Sequence, residues 1–451
     1  MRIAELAGRR VAVWGFGREG RAAIRAIRSR LPALPLALYC RADEADVARA
    51  FDAALTVYGH EPEAVALSAY DVVVKSPGIS AYKPAVVTAQ AQGTAFTSGT
   101  ALWFGEHPDA RVAGVTGTKG KSTTSAMLAH LARALGVRTA LAGNIGLPLL
   151  ELLDASAELW TIELSSFQTG EAGPLELGVV TSLYEEHLDW HGTRERYVAD
   201  KLKLADAART LLVNGQQAGL LELTAAHPQR LLFGTEPGWH VADGWIVRGA
   251  QPVFELAAMS APGLHNALNA CAALAALDAL GLDAVRAAAA LASFRPLPHR
   301  LHPLGERDGM HWVDDSISTT PEATLAALDS LAGREVTVIV GGYERGLDWS
   351  HFVQATRDRC GLRVITQGAN GPRIADALRH VRTELPLGEA DDFADAVAMA
   401  RTVTPQGGVV LLSPGAPSFD QFRDYAERGR RFAGLAGFDE DGAGIAGLGV
   451  A

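Results

Sequence analysis

Short apolar runs alternate with longer Ala- and Leu-rich stretches along the chain. The runs "RVAVWG" (10–15), "LALYC" (36–40), "YDVVVKSPG" (70–78), "ARVAGVTG" (110–117), "AELWTIELSS" (157–166), "LGVVTSL" (177–183) and "TLLVNG" (210–215) are too short for helices and almost uninterrupted by polar residues. They read as strands buried on both faces. "EGRAAIRAIRSRL" (19–31), "TTSAMLAHLARAL" (123–135) and "ALNACAALAALDAL" (267–280) read as helices. Strands and helices in alternation predict α/β domains with mainly parallel sheets. A further cycle runs through "HWVDDS" (311–316), "EVTVIVGG" (335–342), "LRVITQG" (362–368) and "GVVLLSPG" (408–415), so three sheet systems are expected. "EHPDA" (106–110) reads as a linker and "FRPLPHR" (294–300), with two prolines, as a second boundary. The Gly-rich end, 437–451, reads as a loosely held tail. No solenoid-type repeat is present.

The 451 residues carry a formal net charge of −10, which argues against nucleic acid as a main partner, since phosphate contacts need clustered Lys and Arg. Cys40, Cys271 and Cys360 are far apart, so neither a disulfide framework nor a cysteine zinc site is expected. Charges occupy the place where a signal peptide has its apolar core, and no uncharged stretch is long enough to span a bilayer. A soluble cytoplasmic protein without membrane insertion is the expectation.

Two Gly-rich turns bring in chemistry. In "VAVWGFGREG", Gly15, Gly17 and Gly20 follow a strand and precede a helix, the context in which backbone amides hold a diphosphate. The next strand ends in Cys40-Arg41 instead of the acid that binds the ribose of NAD, with Asp43 slightly late. A diphosphate other than NAD fits better, and a turn needed only for strand–helix packing is the competing reading. The second turn, "GVTGTKGKSTTSAM" (114–127), has Gly120, Lys121 and Ser122 in the phosphate-loop positions, but Val115 stands where the first glycine of the usual pattern belongs. Gly117 and Gly120 allow the backbone to approach phosphate oxygens, Lys121 supplies charge for the terminal phosphates, and Ser122 or Thr123 can reach Mg²⁺.

Beyond that loop stand Glu163 at a strand end, His187 in "YEEHLDWHG" and Lys201 in "YVADKLKL". A carboxylate at a strand end facing a phosphate loop suits Mg²⁺, which prefers oxygen. His187 alone says little, and Glu185, Glu186 and Asp189 read equally well as a solvated charged face.

In this order along the chain, "TGTKGKSTT", "GNIGLPLL", "IELSSFQ", "EEHLDWHG", "YVADK", "GLHNALNACAAL", "PLPHR", "DDSIST" and "LLSPGAPSFDQFRDYAERG" resemble the muramoyl peptide ligases (Mur ligases) over nearly the whole length. The family more often has Asn where Lys119 stands. The resemblance implies three domains: 1–108, Rossmann-like, for a UDP-sugar; 109–300, a P-loop ATPase with a parallel sheet; and 301–451, Rossmann-like, for the amino acid. It assigns Gly117, Thr118, Lys119, Gly120, Lys121, Ser122 and Thr123 to ATP, with Asn266 and Asn269 on the adenine side and Arg300 and Asp315 reaching ATP from the last domain. Gly17, Arg18, Glu19 and Gly20 fall to the UDP diphosphate, Ser76, Pro77 and Gly78 to a loop that closes on the uridine part, and Asn144 to the substrate. Ser122, Glu163, His187 and Lys201 would hold Mg²⁺, Lys201 as a carbamate formed with CO₂. Thr319, Arg345, Ser418 and Tyr425 would bind glutamate.

The implied reaction joins glutamate to UDP-N-acetylmuramoyl-L-alanine through an acyl phosphate, in peptidoglycan precursor synthesis, by a monomeric enzyme. D-Glutamate enzymes of the family typically carry Asp-Ser-Lys-Ala-Thr-Asn where this chain has Asp315-Ser316-Ile317-Ser318-Thr319-Thr320. Ile317 in place of that lysine, and Arg345 where many relatives have Lys, point to the branch that adds L-glutamate; the same ligation with D-glutamate is the alternative. A P-loop phosphotransferase or hydrolase would share the ATP loop but would not need the "LSPGAPSFDQF" region. A non-catalytic sensor would not need Lys121, Glu163, His187 and Lys201 intact. A folate-type ligase would lack the N-terminal UDP-type domain.

Overall fold

The structure, a computed structural model, describes residues 1–184, 188–261, 263–381, 386–439 and 445–451, and for 188 and 189 the backbone alone. The chain forms two compact units, residues 1–294 with 447–451, and residues 295–446. Among the described residues no helix is long and apolar enough to cross a membrane.

The first unit holds one parallel sheet and one that is parallel except at an edge strand. One has five strands in the order Leu55–Tyr58, Leu36–Tyr39, Val11–Trp14, Val72–Lys75 and Ala95–Thr97. Chain direction across this sheet reverses beside Val11–Trp14, so the turn after that strand and the loop after Val72–Lys75 flank a switch point, where open α/β sheets bind ligands. The other sheet runs Arg230–Phe233, Ala208–Asn214, Leu175–Val180, Val112–Thr116, Leu159–Glu163, Thr139–Gly143 and Gly449–Val450. One apolar core joins the two sheets, from Ile3, Val11 and Leu38 through Trp103 to Ile162 and Leu211. Trp103 is fully buried and meets Trp160 edge-on at 4.6 Å, which explains why the two sheets form one unit.

Two features depart from the sequence reading. The last residues of the tail are held: Gly449–Val450 pairs antiparallel with Thr139–Gly143. Arg133 donates to the Gly447 carbonyl at 2.7 Å and to that of Gly449 at 2.9 Å, covering a sheet edge that would otherwise stay open. An antiparallel meander, Trp239–Ala242, Trp245–Arg248 and Gln251–Glu255, is also present. Its first turn is Asp243-Gly244, both residues at positive φ (48° and 79°).

The second unit has a six-stranded sheet ordered His302–Arg307, Met310–Asp314, Val409–Leu412, Val336–Val340, Leu362–Thr366 and Leu387–Glu389. Only the first pairing is antiparallel, through an Asp308-Gly309 hairpin turn. Apolar side chains cover both faces, Val338 and Leu411 packing with Phe352 on one and Ile339 and Leu412 with Phe432 on the other.

Candidate active site

Strand Val112–Thr116 feeds the loop 117–120, and helix Lys121–Ala134 begins directly after it. The strand lies between Leu175–Val180 and Leu159–Glu163, so the loop shares an edge with Thr181–Ser182 and with Glu163. The neighbours hold it tightly. Thr118 N–H donates to the Ser182 carbonyl at 2.8 Å, Lys119 N–H to Ser182 Oγ at 2.8 Å, and Thr181 Oγ1 to the Lys119 carbonyl at 2.6 Å. Gly120 has φ 87°, and a Cβ there would stand 2.4 Å from Asn269 Oδ1, so backbone conformation and space both exclude a side chain. Asn269 and Asn266 lie on helix Leu264–Ala279, and Thr124 Oγ1 contacts Asn269 Oδ1 at 3.3 Å. Asn269 therefore stands beside the glycine loop, with Asn266 three residues before it on the same helix. Ser122 is partly buried in the first helical turn and Thr123 is buried.

Two lysines are directed at loop carbonyls: Lys121 Nζ donates to Thr118 O and Lys201 Nζ to Gly117 O, each at 2.9 Å. Lys201 is 2% exposed, on helix Arg194–Ala207, which Thr193 caps by accepting from Arg196 N–H. Glu163 is 1% exposed at the end of its strand, and its Oε1 accepts from Asn144 Nδ2 at 2.7 Å. Its Oε2 is buried with no hydrogen-bond partner among the described residues. A carboxylate oxygen left in the interior without a partner is costly, so the Glu163 carboxylate fits a cation, which prefers such oxygens. His187 lies outside the described residues.

At the end of the first sheet, the glycines divide by role. A Cβ on Gly20 would stand 1.9 Å from the Gly15 carbonyl, so packing by itself already requires glycine at this position. Gly17 meets no such obstacle; it is exposed and caps helix Arg18–Arg30 with exposed Arg18 beside it, leaving that turn open to a ligand. Ser76 Oγ, next to Gly15, is buried and without a partner among the described residues. Glu19 is partly buried; burial, then Glu171 and Glu151, push its carboxyl up to about 7. Pro77 and Gly78 continue the loop that starts at Ser76.

In the second unit, Asp315, Thr319, Arg345, Ser418 and Tyr425 all lie in loops or helix starts beyond the carboxyl ends of the parallel strands. Asp315 accepts from Ser318 Oγ at 2.5 Å, Ser413 Oγ at 2.7 Å and Leu301 N–H at 3.0 Å. Burial nevertheless raises its carboxyl to about 6, the hydrogen bonds opposing the rise. Arg345 Nη2 donates to the Thr319 carbonyl at 3.3 Å. Ser418 is buried, and Tyr425, half-exposed, opens a helix that Asp424 caps. Arg300 Nε is buried without a partner among the described residues.

The sequence reading missed a second set of buried polar groups. Arg428 is 1% exposed and braces two of these loops, donating to Ser316 O at 2.8 Å and Ala416 O at 3.0 Å. Asp200, adjoining Lys201, accepts from the Tyr82 hydroxyl at 2.8 Å and contacts His191 Nδ1 at 2.8 Å. Nothing in the local sequence marks Tyr82. An acid directly before a site lysine, in "YVADK", was the one available signal for Asp200.

A model of the Mur ligase middle domain matches residues 115–277, and one of the Mur ligase glutamate ligase domain matches residues 299–415. The chain is 51% identical over 468 residues to a UDP-N-acetylmuramoyl-L-alanine–L-glutamate ligase of Xanthomonas campestris, covering 100% of both chains. It is 42% identical to a protein of the same name from a Micromonospora species, covering 96% of this chain and 97% of that one. The crystal structure of a UDP-N-acetylmuramate-alanine ligase from Thermotoga maritima superposes with a TM-score of 0.62 at 19% identity, covering 94% of this chain and 98% of that one. That of a MurF ligase from the same organism, solved with ADP, gives 0.58 at 18% identity, covering 81% and 93%. Full-length identity at this level, with the glycine loop, Asn144, Glu163 and Lys201 at one sheet edge, establishes that the chain belongs to the Mur ligase family.

Proposed function

We propose that this protein is an ATP-dependent ligase that joins L-glutamate to UDP-N-acetylmuramoyl-L-alanine through an acyl phosphate, releasing ADP and phosphate, as a cytoplasmic monomer in peptidoglycan precursor synthesis. The observation that carries the ligase reading is Glu163: a buried carboxylate at the strand end beside a phosphate-type loop, one of its oxygens having no partner among the described residues. The likeness to full-length relatives named for L-glutamate supports the choice of amino acid.

Chemistry and geometry combine as follows. The loop amides and Lys121 take the ATP phosphates and offset charge on the transferring phosphoryl group. An oxygen of the alanyl carboxylate attacks the γ-phosphorus, the bond to the β-phosphate oxygen breaks and ADP leaves. The neutral amine of glutamate then attacks the acyl carbon, phosphate departs and the amine loses its proton, leaving an amide. Arg345, Thr319, Ser418 and Tyr425 orient the amino acid; Gly17 to Gly20 and Ser76 to Gly78 hold the nucleotide-sugar. Ser122, Glu163, His187 and Lys201, the last as a carbamate, would hold Mg²⁺, which when bound supplies positive charge to the phosphates. The acyl phosphate must be kept from water, which would hydrolyse it.

The test is ADP release by purified protein given UDP-N-acetylmuramoyl-L-alanine and each glutamate enantiomer separately. Release with L-glutamate and little with D-glutamate is expected. Faster coupling of D-glutamate would overturn the enantiomer while leaving the ligase; no ADP with either would overturn both.

A further inference from the structure

The loop 76–83, whose first three residues are assigned above to the nucleotide-sugar, is bolted to the segment that carries Lys201. Trp190 Nε1 donates to the Pro77 carbonyl at 3.1 Å, and Ser80 Oγ to the Trp190 carbonyl at 2.7 Å. The Tyr82 hydroxyl donates to Asp200, 2.9 Å from Oδ1 and 2.8 Å from Oδ2. The Tyr82 ring meets Trp190 edge-on at 5.8 Å, and Phe167 stacks on the same indole at 4.5 Å. Asp200 is 5% exposed and His191 fully buried, so this is no solvent-screened surface contact.

From Asp200 the network continues inward. His191 Nδ1 meets Asp200 Oδ2 at 2.8 Å, and His191 Nε2 meets Ser166 Oγ at 3.0 Å, three residues beyond Glu163. Thr169 Oγ1 donates to the Asp200 backbone carbonyl at 2.6 Å. Held this firmly at residue 200, the helix has little freedom to place residue 201, whose Nζ reaches Gly117 O. The contacts thus connect the nucleotide-sugar loop to both the Glu163 strand end and the phosphate loop.

We propose that Tyr82 and Asp200 are positioning residues that link the nucleotide-sugar loop to Lys201, so that filling the nucleotide-sugar site strengthens binding at the ATP site. The linkage is reciprocal, because a coupling free energy between two sites acts equally on both ligands. Neither residue needs to touch a reacting atom. The proposal rests on the ligase reading: wild-type protein that releases no ADP with the three substrates fails that reading, whereas an active wild type can still fail the coupling alone.

Calorimetry reads the coupling directly. Mg²⁺ with the non-hydrolysable analogue AMP-PNP is titrated into full-length protein with and without saturating UDP-N-acetylmuramoyl-L-alanine. The wild type is expected to bind the analogue about fivefold or more tighter when the second ligand is present. Tyr82→Phe keeps the ring and removes the hydroxyl; its ratio is expected to fall below about twofold, with thermal unfolding within a few degrees of wild type. Ser80→Ala, which removes the bond to the Trp190 carbonyl, should lower the ratio in the same direction and replaces Tyr82→Phe should that variant not fold. A wild-type ratio of one, or a folded Tyr82→Phe protein with the wild-type ratio, overturns the proposal. A merely structural role for Tyr82 would lower the melting temperature and leave the ratio unchanged.

Discussion

Asn144 holds Glu163 from one side only: its amide donates to Oε1 at 2.7 Å, while the buried Oε2 has no partner among the described residues. The arrangement orients a carboxylate and leaves the oxygen that the proposed Mg²⁺ site would use. Glu163→Gln preserves the acceptor for Asn144 and removes the charge. ADP formation should fall about 100-fold or more, the scale expected when one preorganised electrostatic partner of a phosphoryl transfer is lost. Added MgATP should raise the melting temperature of the wild type clearly more than that of the variant. Activity within a few-fold of wild type would remove Glu163 from the metal site.

Lys201 makes a different kind of claim. Lys201 is 2% exposed and its amine donates to the Gly117 carbonyl; as a carbamate it would present an anion to the proposed Mg²⁺. Lys201→Ala should lose at least about 100-fold in kcat, and acetate at high concentration should restore part of it by filling the space with a carboxylate. Chloride at equal ionic strength should restore nothing. Wild-type rates for Lys201→Ala without additive would exclude the role.

Much of this was legible in the sequence because parallel strands buried on both faces leave unbroken apolar runs, and the residues at their carboxyl ends are where such sheets place ligands. Glu163 and the glycine loop were singled out that way, whereas Ser418 entered only through the family resemblance. What was missed lacked a run. Polar and turn residues cut Trp239–Glu255 into short apolar pieces, and its Asp243-Gly244 turn was the available hairpin signal; Asp308-Gly309 was another. The tail's composition concealed an edge strand, whose stability comes from Arg133, more than three hundred residues away in sequence. Tyr82, Asp200 and His191 come from three separate segments, and only folding brings them together.

Glu19 gives the first unit a pH dependence of known sign. Burial, then the carboxylates of Glu171 and Glu151, raise it from its ordinary value near 4.5 to about 7. The folded state therefore binds this proton more tightly than the unfolded chain. Its contribution is fully present below about pH 4.5 and is lost as pH rises through 7. Glu19→Gln stays neutral throughout and should be the more stable protein at pH 8, by on the order of 1–3 kcal/mol, with the advantage shrinking towards pH 5. Urea unfolding of both proteins from pH 5 to pH 8 checks this. Parallel stability curves would show that Glu19 does not hold its proton in the fold.

Arg345 is the residue on which amino-acid recognition should turn. It lies in the loop after Val336–Val340, and its Nη2 bonds the Thr319 carbonyl at 3.3 Å, so the guanidinium stands against the segment that carries Ile317 and Thr319. Ile317 supplies no charge there. The adjacent Glu344 does not neutralise Arg345, because its Oε2 pairs with Arg373 at 2.8 Å while Oε1 takes the Gly346 N–H at 2.6 Å. A planar fork can hold a carboxylate by two parallel bonds, whereas a lysine ammonium acts as a point charge. Arg345→Lys keeps the charge and loses that geometry. One charge-assisted hydrogen bond is worth about 1.5–3 kcal/mol, so KM for L-glutamate should rise at least about tenfold. The KM values for ATP and for UDP-N-acetylmuramoyl-L-alanine should stay within about twofold, since uniform binding of one substrate alone has been weakened. Steady-state kinetics with each substrate varied in turn decides it. An unchanged KM for L-glutamate would remove Arg345 from the amino-acid site, and a rise in all three KM values would mean that the substitution disturbs the unit as a whole and leaves no specific role for the fork.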